Sequence, residues 1–138
     1  MKTVMVSGHF DPLHDVHLAY IEYAMNYGDY LICLVSTDEQ ILRKKGKVNI
    51  PQEGRLKLLR MTLKGMGVPC HIALNVHDID TALIAKALYY WHPDVLCRGG
   101  DKKPDDMPEE ERKVCEDLNI KVVYAELKEE RHGSEMKL

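Results

Sequence analysis

The chain has 138 residues, a length that fits one domain, and 45% of them are hydrophobic, enough for a real core. Charged residues make up 30% and the formal net charge is −3, so the overall balance favours neither nucleic acid nor an anionic membrane as partner. No apolar run approaches the roughly 18 residues of a membrane span. The apolar segment after Lys2 is also too short for a signal-peptide core, so a cytoplasmic location is expected.

In chain order, "TVMV" is a short β-branched run ended by Ser7-Gly8 and reads as a buried strand. From Asp15 the pattern turns helical, with Leu18, Ile21, Ala24 and Met25 on one face and Gly28 as the expected C′ residue. "YLICLVS" is a second continuous apolar strand, and "TDEQILRK" a short helix capped by Thr37. Residues 44–53, "KKGKVNIPQE", are polar and basic and read as a loop. "GRLKLLRMTLKGM" is a helix with Leu56, Leu59 and Leu63 on one face. "CHIALNV" reads as strand, "DTALIAKALYYW" as helix, and "DVLCRGG" as a strand with a glycine stop. "DDMPEEERKVCEDLN" is a helix with Pro108 near its start, "KVVYAEL" a fifth strand, and "KEERHGSEMKL" a polar end. No repeat, low-complexity block or linker divides the sequence, so residues 1–138 read as one domain.

Strands alternating with helices, each strand apolar throughout, imply a parallel sheet covered on both faces. Right-handed crossovers then give a doubly wound, Rossmann-like α/β fold of about five strands. Ligands bind such sheets beyond the carboxyl ends of the strands. That rule gathers "SGHFDPLHDVH", "STDE" and "RGGD" on one rim, with "RHGSEMKL" in reach. The four cysteines are scattered with no C-x-x-C pair, which argues against a zinc ribbon or disulfide framework. Cys33 and Cys97, inside apolar runs, read as small core residues. Tyr89, Tyr90 and Trp91 read as packing at a helix end, with an interface as the sharper alternative.

The first of these rim segments holds the chemistry. Gly8 is expected to let the chain turn at the strand end, and Pro12 to bend it before the helix. His14 and His17, three apart, share one face of the first helical turn. A helix N-terminus offers free N–H groups and partial positive charge, and two imidazoles add donors. Together they make a phosphate cradle. A metal reading built on His9, Asp11, His14 and His17 stays open beside it. No more distant ligand completes that shell, and no protein-held metal is assigned.

"GHFDPLHDVH" resembles the G-x-F-D-x-x-H-x-G-H signature of the cytidylyltransferase-like nucleotidyltransferases. "GDYLICLVSTDE", "KGKVNIPQEGR" and "HPDVLCRGGD" resemble, in the right order, that family's second strand, basic loop with E-x-R turn, and K/R-G-G-D turn. The resemblance covers about residues 2–127. It looks most like the glycerol-3-phosphate cytidylyltransferase, heptose-1-phosphate adenylyltransferase and archaeal FAD synthetase types. It implies transfer of a nucleotidyl group from CTP or ATP to a small phosphomonoester, with Mg2+, releasing pyrophosphate. By that resemblance His14 and His17 hold the triphosphate, and Asp11 lies beside the reacting phosphates or helps place magnesium. Lys47, with Lys44 and Lys45, closes over the phosphates, and Arg55 anchors that side. Gly8, His9, Phe10, Val16, Arg98, Gly99, Gly100, Asp101 and Ser134 line the nucleotide. "STDE" leans towards the glycerol phosphate type and "HPDVLCRGGD" towards the heptose type; cytidylyl transfer is ranked ahead. The family's frequent homodimers make a second copy a candidate partner.

The chain departs from the pattern at two places. Val16 stands where the family usually has glycine, and "HGSEMKL" replaces an I-S-T-T-like segment, retaining only Ser134. A non-catalytic nucleotide-binding relative is therefore the alternative, with a His/Asp metal hydrolase behind it.

Overall fold

A computed structural model describes residues 1–126. Ser134 and the rest of the polar end lie outside the described residues. The elements run β1 (Thr3–Gly8), α1 (Asp15–Ala24), β2 (Tyr30–Val35), α2 (Asp38–Lys45), α3 (Gln52–Met66) and β3 (Cys70–Leu74). They continue with α4 (Ala85–Trp91), β4 (Val95–Arg98), α5 (Glu109–Leu118) and β5 (Lys121–Tyr124). All five strands are parallel, in the order β3-β2-β1-β4-β5.

The continuous apolar strands are explained by their two faces. Val4, Val6, Leu31, Cys33, Val35, Val95 and Cys97 point into one cluster with Ile21 and Ala24 of α1 and Leu59 and Leu63 of α3. Met5, Ile32, Leu34 and Leu96 point the other way, against Ala87 and Leu88 of α4 and Cys115 of α5. Successive residues alternate between two buried layers, as a doubly wound sheet requires.

Several boundaries differ from those the sequence suggests. Strand β1 continues through Ser7 to Gly8, which pairs with Val35. The chain turns instead at Phe10, which takes a left-handed φ of 52°. Gly8 is needed because a Cβ there would meet the Phe10 ring at 3.3 Å. Gly28 is not the helix stop; Met25 caps α1. A Cβ on Gly28 would sit 3.0 Å from the Lys2 carbonyl, so glycine lets the chain pass close against β1. Helix α4 starts at Ala85 rather than Asp80, since the Asp78 carboxylate accepts from the N–H groups of Lys86 and Ala87. Residues 104–106 form a single 3₁₀ turn, and α5 starts only after Pro108.

The strand order reverses between β1 and β4, the place where an open α/β sheet forms a ligand crevice. There β1 and β4 pair only at Val4–Val95 and Met5–Leu96. Beyond Met5 the buried Tyr20 bridges them: its hydroxyl donates to the Cys97 carbonyl at 2.6 Å and accepts from the Ser7 N–H at 3.2 Å. Burial pushes the phenol's pKa up, so it stays a donor. Tyr20→Phe should strand both backbone groups and lower stability by about 1–3 kcal/mol. Urea unfolding would show this as a lower midpoint at unchanged slope.

Candidate functional site

At the head of α1, His14 is the N-cap residue and His17 the third helical residue. The N–H of Val16 donates to His14 Nδ1 at 3.3 Å, and the N–H of His14 donates to His17 Nδ1 at 3.2 Å. Each ring therefore uses Nδ1 as acceptor, which puts the proton of the neutral imidazole on Nε2. The rings stack 3.8 Å apart, and Phe10 meets the His17 ring edge-on at 5.0 Å. Burial first, then the neighbouring His14 and His9, lowers the His17 pKa to about 4. His17 is thus a neutral ring with a fixed donor rather than a cation.

His9 faces the β2 side of the turn, its Nδ1 2.6 Å from Ser36 Oγ. Burial lowers its pKa, with further lowering by Lys44 and Lys45. The site thus comprises three imidazoles, the head of a helix and an exposed cationic loop.

That loop joins α2 to α3, and Lys44, Lys45 and Lys47 are exposed on it. Asp11 is bound to its far end: Oδ2 accepts from the Asn49 N–H at 2.8 Å and Oδ1 from the Ile50 N–H at 2.6 Å. Arg55 lies beneath, 1% exposed. It donates to the carbonyls of Ile50, His9 and Ser36 at 2.8, 3.0 and 2.7 Å, and to Asp38 at 2.7 Å. The structure thus places Arg55 under the site as a tie between three segments, and its guanidinium is engaged by protein acceptors.

Arg98 folds over its own turn, donating to the Lys103 carbonyl at 3.0 Å with its guanidinium 5.5 Å from the Tyr124 ring centre. Gly99 is half-buried, and Gly100 and Asp101 are exposed beside it at the carboxyl end of β4. Val16 is half-buried on the first turn of α1. Tyr89 and Tyr90 are 68% and 63% exposed, so of the three aromatics only Trp91 packs partly inside. Cys33 and Cys97 are buried core residues, as the sequence indicated, and so is Cys115.

Among the described residues no three His, Cys, Asp or Glu side chains group as a metal site. The carboxylate oxygens of Asp11 already serve Asn49 and Ile50. The Nδ1 atoms of His14 and His17 accept from backbone N–H groups, which leaves each Nε2 protonated and without a lone pair for a metal, and this counts against a His/Asp metal hydrolase.

Sequence reasoning missed Tyr20, Asp78 and Gln40. Gln40 is buried and donates its side-chain amide to the carbonyls of Asn75 and Asp78, tying α2 to the end of β3. A buried tyrosine beside Ile21 and Ala24 was legible as core, but its bond to a strand 77 residues away was not.

An open parallel sheet, split at its switch point and bearing paired imidazoles at the first helix head, defines a Rossmann-like α/β protein. The profile of the cytidylyltransferase-like family matches residues 5–135. The chain belongs to the cytidylyltransferase-like family. Among curated proteins it is 35% identical over 128 residues to the bifunctional protein HldE of Vibrio vulnificus, covering 91% of this chain and 25% of that protein. It is 38% identical over 109 residues to HldE of Aeromonas hydrophila, covering 77% and 21%. The chain therefore spans about a quarter of the length of these relatives. Among solved structures, the lipopolysaccharide core biosynthesis protein of Thermoplasma volcanium superposes with a TM-score of 0.70 at 24% identity, covering 94% of this chain and 99% of that one. Pantoate-β-alanine ligase of Francisella tularensis gives 0.63 at 17% identity, covering 96% and 61%. Both share the fold.

Proposed function

We propose that the protein is a nucleotidyltransferase that joins a nucleoside monophosphate unit from CTP or ATP to a small phosphomonoester of the sugar phosphate class. One acceptor phosphate oxygen attacks the α-phosphorus, the α–β bridging P–O bond breaks, and pyrophosphate leaves with that bond's electron pair. No covalent enzyme intermediate is needed, so the protein acts by positioning and charge stabilisation. The observation that supports this reading is the pair of tautomer-locked imidazoles at the head of α1. Their Nε2–H groups are fixed donors for oxygens that gain charge in the transition state.

The remaining roles follow the same reading. Lys47, with Lys44 and Lys45, brings cations from the α2–α3 loop. Gly8, Phe10 and Val16 shape the floor of the cradle, while His9 flanks it towards Ser36. Arg98, Gly99, Gly100 and Asp101 line the nucleoside end, and Ser134 is kept as a phosphate contact. Mg2+ enters as the companion of the triphosphate rather than as a protein-held ion. Identity to HldE supports a sugar phosphate acceptor over glycerol phosphate. Homodimerisation through the exposed Tyr89 and Tyr90 belongs to the same proposal, and light scattering tests it.

Pyrophosphate release across ATP, CTP, GTP and UTP, with Mg2+ and a panel of sugar phosphates and glycerol 3-phosphate, tests the reaction. Turnover with ATP or CTP and one sugar phosphate is expected, and the preferred triphosphate decides the base. Nucleotide binding without turnover across the panel favours the non-catalytic alternative.

A further inference from the structure

We infer that Asp11 is a positioning residue, a clasp that fixes the cationic α2–α3 loop to the histidine turn, and not a ligand for phosphate or metal. The inference rests on the nucleotidyltransferase reading for its purpose but on separate geometry for its substance. Two N–H groups, of Asn49 and Ile50, converge on one side chain at 2.8 and 2.6 Å. The Asn49 side-chain amide returns a third bond to the Asp11 carbonyl at 3.3 Å. Only a carboxylate presents an acceptor oxygen to each of two converging donors; an asparagine has one such oxygen. The requirement for aspartate is therefore met inside the protein, without any ligand.

The clasp acts where the loop needs it. Asp11 lies three residues before His14, and Asn49 two after Lys47. Arg55 binds the same two segments from beneath, through the carbonyls of Ile50 and His9. Lys44, Lys45 and Lys47 are exposed, and a lysine stem is long and flexible. Holding the loop backbone beforehand removes part of the ordering cost that capture of a polyphosphate would carry. Engaging the carboxylate with donors also directs its negative charge away from an incoming anion.

The test uses the full chain and its Asp11→Asn variant. Limited trypsin digestion, with fragments identified by mass, reads cutting after Lys44, Lys45 and Lys47. The variant should be cut there about tenfold faster, the scale of one lost hydrogen bond to a charged group, with cutting elsewhere unchanged. Saturating nucleotide should narrow the difference. In a double-mutant cycle on kcat/KM, Lys47→Ala should cost clearly less in the Asp11→Asn background than in the wild type. The Mg2+ concentration for half-maximal rate should stay the same.

Unchanged digestion at 44–47, or strict additivity in the cycle, overturns the clasp. A shifted Mg2+ requirement with unchanged digestion gives the carboxylate to the metal instead. If Asp11→Asn does not fold, Asp11→Glu, one methylene longer, should show the same cutting pattern to a smaller degree, and unchanged cutting overturns the clasp here too. If wild-type protein turns over no triphosphate, the nucleotidyltransferase reading fails, while digestion still reads the clasp.

Discussion

His17→Ala is expected to lower kcat by about 10²–10³-fold, the usual loss when one fixed transition-state donor is removed. The site explains both the size and the specificity of that loss. His17 Nδ1 is held by the His14 N–H, so its donor direction is set before any ligand arrives. A second substitution separates catalysis from capping. Gln is the residue a capping box prefers at this helical position, so His17→Gln should keep the bond to the His14 N–H and restore most of the roughly 1 kcal/mol that Ala loses there. It should not restore turnover, because its amide cannot place a donor where imidazole Nε2 stands. Recovery of turnover with Gln would show that His17 acts only through the helix cap.

The protonation state is checked separately. Burial holds the folded His17 pKa near 4, whereas an unfolded histidine titrates near 6.5. Unfolding therefore takes up a proton between those two values. The stability contributed by the neutral ring is fully present above about pH 6.5 and is lost as pH falls through about 4. NMR titration of the His17 ring should show no inflection near 6.5 and an onset only below about pH 5. A midpoint near 6.5 would make the ring a cation donor under mildly acidic conditions and remove the tautomer argument.

What the sequence made legible was local. The strands announced themselves because both faces of the sheet are buried, leaving no alternation. Thr37 and Pro108 marked helix starts, and the His14–His17 spacing followed from helix geometry alone. What stayed hidden was set by contacts between distant segments. Gly28 looked like a helix stop, and only its approach to β1 shows why glycine is there. Asp11 looked like a phosphate neighbour, but its partners lie 38 and 39 residues on. Residues 80–84 read as the start of a helix, yet Asp78 fixes the start of α4 at Ala85 from outside the helix. Asp78 is itself held through Gln40, 38 residues earlier. Chain-local rules carry no information about such pairs.

Arg55 is the residue whose local reading differs most from its place in the fold, and it carries the largest expected loss of stability. A cation in the first turn of a helix is disfavoured by the helix dipole, so on local grounds it reads as a ligand-binding charge or an idle one. Its side chain is fully buried against a partner, Asp38, that keeps 37% of its side chain exposed. The pair is therefore not an isolated buried ion pair, and most of its worth lies in the three carbonyls. Those acceptors belong to the β1–α1 turn, the end of β2 and the α2–α3 loop, which are the three segments that build the cradle. Arg55→Met would fill much of the volume but leave the carbonyls of His9, Ser36 and Ile50 without this donor, at a cost of about 3–5 kcal/mol. That is a large share of the 5–15 kcal/mol typical of a domain and corresponds to a thermal midpoint lower by roughly 10–20 °C. Arg55→Lys keeps the charge but cannot span four acceptors with one ammonium, so it should recover only a minor part of the midpoint. Scanning calorimetry of the three proteins decides the matter. A near-native midpoint in Arg55→Met, with nucleotide affinity lost, would mean that the guanidinium turns outward to bind phosphate and that another group ties the three segments together.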